Sequence, residues 1–420
     1  MKILIVSENA SDEYGGESVL PLHYFRGLRA RGEDVYLLTH ARVRKRLQQI
    51  IPSDLDRVIF IDETWLHTWL FEIGKKLPAR INVLTTNALS HFVTQCCQWR
   101  LARKAIKGLS IDVIHEPAPV SPRQPSVLFG LRVPVVIGPM NGGMTFPSGF
   151  EFMAHGFEKF INLPIRILTH VFNLLLPGKL LADVLLVANE RTRKALPKFT
   201  QGKVIRLIEN GVDTKFWSKP IKKEERDYVQ LVYLGRLVDL KCVDLLIKAF
   251  AAVYTSHKVR LMIIGSGEEE LALKKLVIDE GVELGVDFVG WKNHEECHSL
   301  LSGSDILVLP SVKECGGAVV LEAMSVGLAV IAVNWGGPTD YIAEETGILV
   351  DAINPAGLTN GLTEAIENLV VNDQLRKELG AAALEQINVE FSWDKKIDKI
   401  MEIYQDLIDS KRINIKGKKL

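Results

Sequence analysis

The stretch that most constrains the fold of this 420-residue chain is 304–342. An apolar, β-rich run at 306–309 leads into a glycine-containing loop, which is followed by a helical run at 318–326 and a second apolar run at 329–333. Strand, loop, helix and strand in this order form a βαβ unit, and the loop of such a unit lies at the carboxyl edge of a parallel sheet. Ligands of open α/β sheets bind at that edge, so we expect a binding site here.

Two carboxylates and two glycines mark this loop as a candidate binding site. Glu314 lies in the loop and Glu322 lies inside the helical run, so both can reach one ligand. A carboxylate among apolar neighbours is costly to bury unless it is hydrogen-bonded, and a pair of ligand hydroxyls would supply those bonds to Glu322. The glycines allow close backbone approach, and the helix start offers N–H groups to an anion. The alternative is that Glu322 lies at the solvent edge of a core helix.

Three motifs together resemble those of the retaining glycosyltransferases of family 4. The first is the Glu314 and Glu322 pair, with Gly-Gly after the first Glu and Glu-Ala-Met at the second. The second is Tyr-Leu-Gly-Arg-Leu-Val-Asp-Leu-Lys at 233–241, and the third is Asn-Gly-Val-Asp at 210–213. The motifs occur in the family's order, and the resemblance covers nearly the whole chain.

The resemblance implies a GT-B fold, in which two doubly wound Rossmann-like α/β domains face a cleft and a C-terminal helix crosses back to the first domain. Alternating strand and helix patterns along the chain, followed by helical patterns at 356–380 and 392–409, independently favour parallel doubly wound sheets. We predict an N-terminal acceptor-binding domain at 1–205 and a C-terminal nucleotide-sugar-binding domain at 206–390. Residues 391–420 would form the returning helix and a basic tail.

The resemblance also assigns roles at the donor site. Arg236 and Lys241 would contact the donor diphosphate, with cationic side chains in place of a divalent metal. Glu314 would hold hydroxyls of the donor sugar, and Glu322 would accept both ribose hydroxyls. The predicted catalytic residues are Glu314, Arg236 and Lys241. The other predicted donor contacts lie in glycine loops or just beyond strand ends: Gly15, Gly16, Gly265, Gly290, Trp291, Gly316, Gly317, Ala318 and Val319.

The loop at 138–144 departs from the family's pattern. Many members carry a His there that contacts the transferred sugar, whereas this chain has Gly-Pro-Met-Asn-Gly-Gly. Backbone N–H groups and Asn141, with Gly142 and Gly143, would serve instead, and His115 and His155 are the nearest substitutes for the missing imidazole. We expect His115, Asn141, Gly142 and Gly143 to contact the acceptor or the transferred sugar.

Charge is balanced overall, with 51 basic and 51 acidic residues, but the first half of the chain is net basic and the second half net acidic. A helical pattern at 88–108 places Arg100, Arg103, Lys104 and Lys107 on one face. Such a face is usually only solvated. The alternative is a surface that contacts anionic phospholipid or a phosphorylated lipid acceptor. We predict no nucleic-acid partner.

Segment and cysteine patterns give an expected compartment. The N-terminal apolar run is too short for the core of a signal peptide, and no uninterrupted apolar stretch is long enough to span a bilayer. Five cysteines show no zinc spacing, and an odd count favours reduced thiols. We therefore expect a cytoplasmic protein, peripheral at the inner face of the membrane. Asp54 and Asp56 resemble a metal-binding Asp-x-Asp, which we reject because the pair precedes a strand.

These features predict a retaining, metal-independent glycosyltransferase with no cofactor. It would move a sugar from a UDP or GDP donor to a glycan or lipid-linked acceptor, in cell-envelope or exopolysaccharide synthesis. A nucleotide-sugar 2-epimerase and a non-catalytic sugar-nucleotide-binding protein are the alternatives. Product analysis separates transfer from epimerisation, and tight donor binding without turnover would favour the binding protein.

Overall fold

The computed structural model describes residues 1–13, 16–77, 82–154, 169–217 and 225–417. Contacts divide the chain into two units. Unit 1 comprises Met1–Gly143, Asn162–Glu209 and Ile397–Leu420, and unit 2 comprises Met144–Ile161 and Asn210–Lys396. The chain thus enters unit 2 at Asn210 instead of at 206, and the segment that begins at Met144, which we had placed in the first domain, packs with unit 2.

Unit 1 is built on a seven-stranded parallel sheet in the order β3-β2-β1-β4-β5-β6-β7. The central strands are almost wholly buried, because each begins with or contains a run of Val, Ile or Leu covered on both sheet faces. The strands are β1 Lys2–Val6, β2 Asp34–His40, β3 Val58–Ile61, β4 Val113–Glu116, β5 Val135–Met140, β6 Val184–Val187 and β7 Lys203–Arg206.

The helices of unit 1 begin and end where local side chains satisfy their free backbone groups. Thr64 and His67 form a reciprocal capping box at the start of α3, and Ser110, in a left-handed conformation, ends α4. Asn189 caps α6 by accepting from the N–H of Thr192. The helices are α1 Gly16–Ala30, α2 Arg44–Ile50, α3 Trp65–Gly74, α4 Ala88–Leu109, α5 Gly178–Leu181 and α6 Glu190–Ala195.

Unit 2 contains a six-stranded parallel sheet in the order β10-β9-β8-β11-β12-β13. Strands β8, β11 and β12 lie at its centre and carry the most buried runs. The strands are β8 Val229–Leu234, β9 Val259–Ile264, β10 Val286–Gly290, β11 Ile306–Leu309, β12 Ala329–Val333 and β13 Ile348–Val350.

Seven helices lie wholly in unit 2 among the described residues, and an eighth starts there and continues into unit 1 from Ile397 onward. They are α7 Thr214–Trp217, α8 Val243–Tyr254, α9 Glu270–Asp279, α10 His294–Ser302, α11 Ala318–Ser325, α12 Pro355–Val371 and α13 Asp373–Gln386. The helix that continues is α14, Trp393–Gly417. The two parallel sheets and this helix confirm the predicted doubly wound α/β architecture.

The helices expected from the sequence differ from those of the structure at three places. The single helix expected at 356–380 is wrong, because the chain breaks at Asn372, whose side chain accepts from Leu375 N and caps a second helix. Helices α2 and α3 were not predicted, since their sequences lack a clean apolar period. The basic side chains of α4 are exposed, as their spacing predicted. No helix within the described residues is both long enough and apolar enough to cross a bilayer.

Candidate functional site

Two glycine loops meet at the carboxyl edge of the unit 2 sheet. The loop after β11 ends at Gly317, whose left-handed conformation (φ +68°) starts helix α11. Gly337 N donates to Glu314 O over 2.7 Å, which joins this loop to the one after β12. A Cβ on Gly336 would lie 2.4 Å from the same carbonyl oxygen, so the contact requires glycine. A Cβ on Gly337 would lie 2.4 Å from the carbonyl oxygen of Gly316. The exposed Ala318 is the first residue of helix α11.

Lys241 and Glu314, both predicted catalytic residues, form an ion pair in this structure. Lys241 lies in the turn after β8, and Glu314 lies in the loop after β11, so adjacent strands bring them together. Both side chains are largely shielded, with exposed fractions of 12% and 15%. A partly buried ammonium and carboxylate pair needs this mutual compensation, because either charge alone would be costly there.

Arg236 is exposed just beyond the end of β8. The buried Tyr233 hydroxyl donates to the carbonyl of Arg236 over 2.9 Å and so fixes the backbone from which the guanidinium group extends. Burial raises the pKa of Tyr233, which keeps this donor protonated. Gly265 follows β9 with φ +136°, and a Cβ there would lie 1.9 Å from Gly235 O. The strand ends therefore hold each other by backbone contacts.

Glu322 lies on α11 among apolar residues. Burial raises the pKa of its carboxyl from 4.5 to about 7. No hydrogen bond to its side chain is formed within the described part of the chain, and its charge raises the pKa of the neighbouring Cys297 thiol. The ionised form of Glu322 is therefore disfavoured in the protein alone. This is expected of a carboxylate whose hydrogen bonds are supplied by a ligand.

Gly290 and Trp291 end β10 at the same sheet edge. Gly290 has φ +74° with open space where a side chain would lie, and Trp291 is 73% exposed. An exposed indole beside a glycine turn is able to stack on an aromatic ring. Val319 is half-buried in the first turn of α11.

One set of contacts at this edge was not predicted. Trp335 Nε1 donates to Thr145 O over 2.9 Å, and the Lys313 ammonium lies 4.3 Å from the centroid of the Phe146 ring. Met144 packs against Gly336. The segment that begins at Met144 thus lines the glycine loops, although nothing in its sequence spacing indicates a partner so far along the chain.

The unit 1 residues predicted for the acceptor are mostly buried. His115 is fully buried, with Nε2 2.5 Å from Gly138 O and Nδ1 2.6 Å from the Tyr404 hydroxyl. Since the carbonyl only accepts, Nε2 carries the proton and Nδ1 accepts from Tyr404. Burial lowers the pKa of His115 to about 4. It is a neutral link between β4 and the C-terminal helix.

Asn141 lies at the end of β5 and is buried as well. Its Nδ2 donates to Glu209 Oε1 over 2.6 Å, and Gly142 N donates to Thr192 Oγ1 over 3.1 Å. Gly143 is exposed with φ +74°. The Asn141 side chain and the N–H groups of Asn141 and Gly142 are therefore engaged inside unit 1, and Gly143 is the exposed residue of this loop. Gly16 is the first residue of α1, whereas Gly15 and His155 lie outside the described residues.

Within the described ranges, no group of three or more His, Cys, Asp or Glu residues is arranged to hold a metal ion. Asp54, which the sequence offered as part of an Asp-x-Asp motif, pairs with Arg29 at 3.0 Å before β3. What the carboxyl edge of unit 2 does present is a set of cations, helix N–H groups and two carboxylates. This set suits a phosphorylated ligand that also carries hydroxyl groups.

The fold and this edge define a two-domain α/β protein of the GT-B class. Among solved structures, the chain resembles sucrose-phosphate synthase of Thermosynechococcus elongatus with a TM-score of 0.66 at 20% identity, covering 97% of this chain and 99% of that one. It resembles HepE of Anabaena, solved in complex with UDP, with a TM-score of 0.66 at 16% identity, covering 97% and 100%. At these identities the likeness shows the fold.

Sequence comparison gives a further likeness. Residues 213–386 match the family model described as glycosyl transferases group 1. A relative is the lipopolysaccharide core biosynthesis glycosyltransferase LpsE of Rhizobium meliloti, 32% identical over 53% of this chain and 59% of its own length. The chain spans little more than half the length of the curated relatives it matches. The predicted glycosyltransferase resemblance is confirmed.

Proposed function

We propose that the chain is a retaining, metal-independent glycosyltransferase of family 4 that takes a hexosyl group from a UDP- or GDP-sugar. The acceptor would be a glycan or a lipid-linked glycan of the cell envelope or of an exopolysaccharide. Unit 2 would bind the donor and unit 1 the acceptor, in the cytoplasm, where nucleotide sugars are made. The observation that carries the proposal is the arrangement of Arg236, Lys241, Glu314 and Glu322 at one sheet edge beside the start of α11.

Each of these groups matches one part of a nucleotide sugar. Arg236 and the N-terminus of α11 would bind the diphosphate, and Lys241 would leave Glu314 to join them. Glu314, released from its ion pair, would accept hydroxyls of the donor sugar. Glu322 would accept both ribose hydroxyls, which would relieve the cost of its burial.

Retention would follow from attack on the same face that the diphosphate leaves. The acceptor oxygen bonds to the anomeric carbon, the bond from that carbon to the diphosphate oxygen breaks, and the acceptor proton passes to the departing diphosphate. Arg236, Lys241 and the N–H groups of α11 would stabilise the negative charge that develops on the leaving group. No side chain needs to form a covalent intermediate.

Calorimetric titration of the purified protein with UDP, GDP and ADP and their common sugar conjugates, without divalent metal, tests the donor site. We expect one nucleotide to bind selectively, with binding lost in Glu322→Ala and weakened in Arg236→Ala. Glu344→Ala, an exposed carboxylate in the same unit, is the matched control. Failure of every nucleotide to bind would refute the donor assignment.

Analysis of the product tests the reaction class. With the donor identified, NMR of the glycosidic anomeric proton should show the same configuration as the donor. An inverted product would refute retention. Free epimerised nucleotide sugar would identify the protein as an epimerase, and bound but unconverted donor would identify a sugar-nucleotide-binding protein.

We also propose that unit 1 contacts an anionic membrane through α3 and α4. Trp65 and Trp69 lie one helical turn apart on α3, opposite the buried His67 and Leu70, with exposed fractions of 78% and 54%. Leu89 and Phe92 on α4 are exposed too, and the basic side chains of α4 lie further along the same outward face. Interfacial tryptophans beside lysine and arginine suit an acidic lipid surface.

Co-sedimentation with vesicles tests this contact. The wild type should bind vesicles that contain phosphatidylglycerol and should not bind vesicles of phosphatidylcholine alone. The double variant Trp65→Ser/Trp69→Ser should bind neither, whereas Trp291→Ser, which removes an exposed tryptophan from unit 2, should bind like the wild type. Equal binding by the double variant would refute the assigned surface.

A further inference from the structure

A second polar constellation lies at the carboxyl edge of the unit 1 sheet, and neither the sequence motifs nor the donor site accounts for it. The strand order of this sheet reverses between β1 and β4, the point outside which open α/β sheets bind their ligands. Ile5 pairs with His115, so Glu116 at the end of β4 lies beside Val6, and Glu8 follows two residues later. Two carboxylates therefore flank the switch point.

Glu8 is held on the side of the crevice by charged and polar neighbours. Its carboxylate accepts from His91 Nδ1 and lies 3.4 Å from a guanidinium nitrogen of Arg42. The other imidazole nitrogen of His91 is 2.8 Å from Gln95 Nε2 and 2.6 Å from Gln124 Nε2. With exposed fractions of 21% for Glu8 and 26% for His91, the group remains open to solvent.

Two buried atoms beside this group have no hydrogen-bond partner among the residues that the structure describes. Glu116 is 97% buried; Ser126 hydrogen-bonds its carboxylate, but Oε2 accepts from no group in that part of the chain, and the carboxylate interacts electrostatically with His91. Asn9 Oδ1, next to Glu8 in the sequence, is likewise buried without a donor among the described residues. A buried acceptor without a donor is costly, so the crevice is short of hydrogen-bond donors.

The charges indicate which donors would fit. Arg42 already lies beside Glu8, and Lys179 lies beside Glu116, where burial raises the pKa of the carboxyl and lowers that of the ammonium. Since each carboxylate has a basic neighbour, the crevice has little net charge with which to attract a cation or an anion. Neutral hydroxyl groups supply donors without adding charge, and vicinal pairs match carboxylate oxygens.

The loops around the crevice are tied to each other. Glu17, in the first turn of α1, accepts from Val120 N over 2.9 Å, and Lys179 donates to Ser121 O. The first bond links α1, the helix that follows β1, to the loop that follows β4, and the second links α5 to the same loop. The polar groups are thus held on a rigid frame, as a specific binding site requires.

We propose that this crevice binds vicinal hydroxyl groups of the acceptor, with Glu8 and Glu116 as the carboxylates that accept from them and His91 as the residue that positions Glu8. The proposal rests on the proposed function, which it extends by naming the acceptor class and its contacts: a neutral polyhydroxylated ring, as in a hexose or a cyclitol. Arg42, Gln95 and Lys179 hold the contact residues in place.

Ligand-observed NMR of the full-length protein, saturated with the nucleotide that it binds, tests the site. The probes are methyl α-D-glucopyranoside, myo-inositol and inorganic phosphate. We expect saturation transfer from the protein to at least one of the two polyols. Inorganic phosphate should not reduce that signal. Addition of the bound polyol should shift the 15N resonances of the His91 imidazole, a readout that needs no variant.

Glu8→Gln and Glu116→Gln provide the matched variants. Each should weaken polyol binding at least about tenfold, the contribution of one hydrogen bond to a charged group, with nucleotide affinity unchanged. Glu190→Gln, an exposed carboxylate of unit 1, should bind as the wild type does. Thermal melting of each variant shows that it is folded.

Three results would overturn the inference: no polyol signal with nucleotide bound, unchanged polyol binding in both folded variants, or His91 resonances that respond to phosphate and not to either polyol. Failure of the proposed function appears separately, as absence of nucleotide binding. Polyol binding that depends on Glu8 would still support the crevice in that case.

Discussion

Replacing Glu322 by Gln should stabilise unit 2 at high pH while it weakens donor binding. The Glu322 side chain is half-buried on α11 without a hydrogen-bond partner in the described part of the chain, and this burial raises the pKa of its carboxyl from 4.5 to about 7. Gln has nearly the same shape and no charge. The variant therefore removes the cost of the buried charge and keeps the packing.

The size and sign of the effect follow from the pKa. A carboxyl whose pKa rises on folding adds no penalty below pH 4.5, where it is protonated in both states. The penalty grows as pH rises through the folded-state value of about 7 and then levels off. At about 1.4 kcal/mol per pKa unit, Glu322→Gln should gain up to about 3 kcal/mol at pH 8 and nothing at pH 4.

Native-state hydrogen exchange of amides in α11 and β11 measures this gain, because it reports the opening free energy of that region even where the two units unfold separately. The quantity to compare is the opening free energy of the variant minus that of the wild type, measured at pH 8 and again at pH 5. The exposed Glu344→Gln is the control. An equal difference at both pH values, or a less stable variant at pH 8, would refute the reasoning. Calorimetry should show weaker nucleotide binding by Glu322→Gln.

Three further results are expected. Arg236→Ala should reduce sugar transfer by orders of magnitude with an unchanged melting temperature, and Lys241→Ala should do so with a lower melting temperature, because it leaves the shielded Glu314 carboxylate unpaired; a near-normal rate in both would remove them from the diphosphate role. Gly336→Ala should cost roughly 1–3 kcal/mol by urea titration, because its φ of +81° and the nearby carbonyl exclude a Cβ; unchanged stability would contradict this. Tyr404→Phe should cost about 1–3 kcal/mol by leaving the buried His115 Nδ1 without a donor, and a neutral substitution would mean that water replaces the hydroxyl.

Much of the fold could be predicted because its signals are local. Strands such as β3, β8 and β9 begin and end where their apolar runs do, and α10 begins at an Asn293 and Glu296 capping box that the sequence displays. Elements without a clean period were missed, as α3 was: its exposed tryptophans interrupt the amphipathic pattern. The break at Asn372 was missed because Asn also occurs inside helices, and only its cap geometry distinguishes it.

The candidate sites also have parts that the sequence predicts and parts that only the tertiary structure shows. Glycine spacing and the two glutamates of the 304–342 stretch predict a phosphate- and hydroxyl-binding edge, because backbone freedom and helix starts depend on residue type and order. Only the tertiary structure decides that Lys241 pairs with Glu314, that His115 is a buried link to Tyr404, and that Glu8, His91 and Glu116 share a crevice. These groups lie on different strands and helices, and strand order, which brings them together, is set by packing of the whole sheet and leaves no mark in the local sequence.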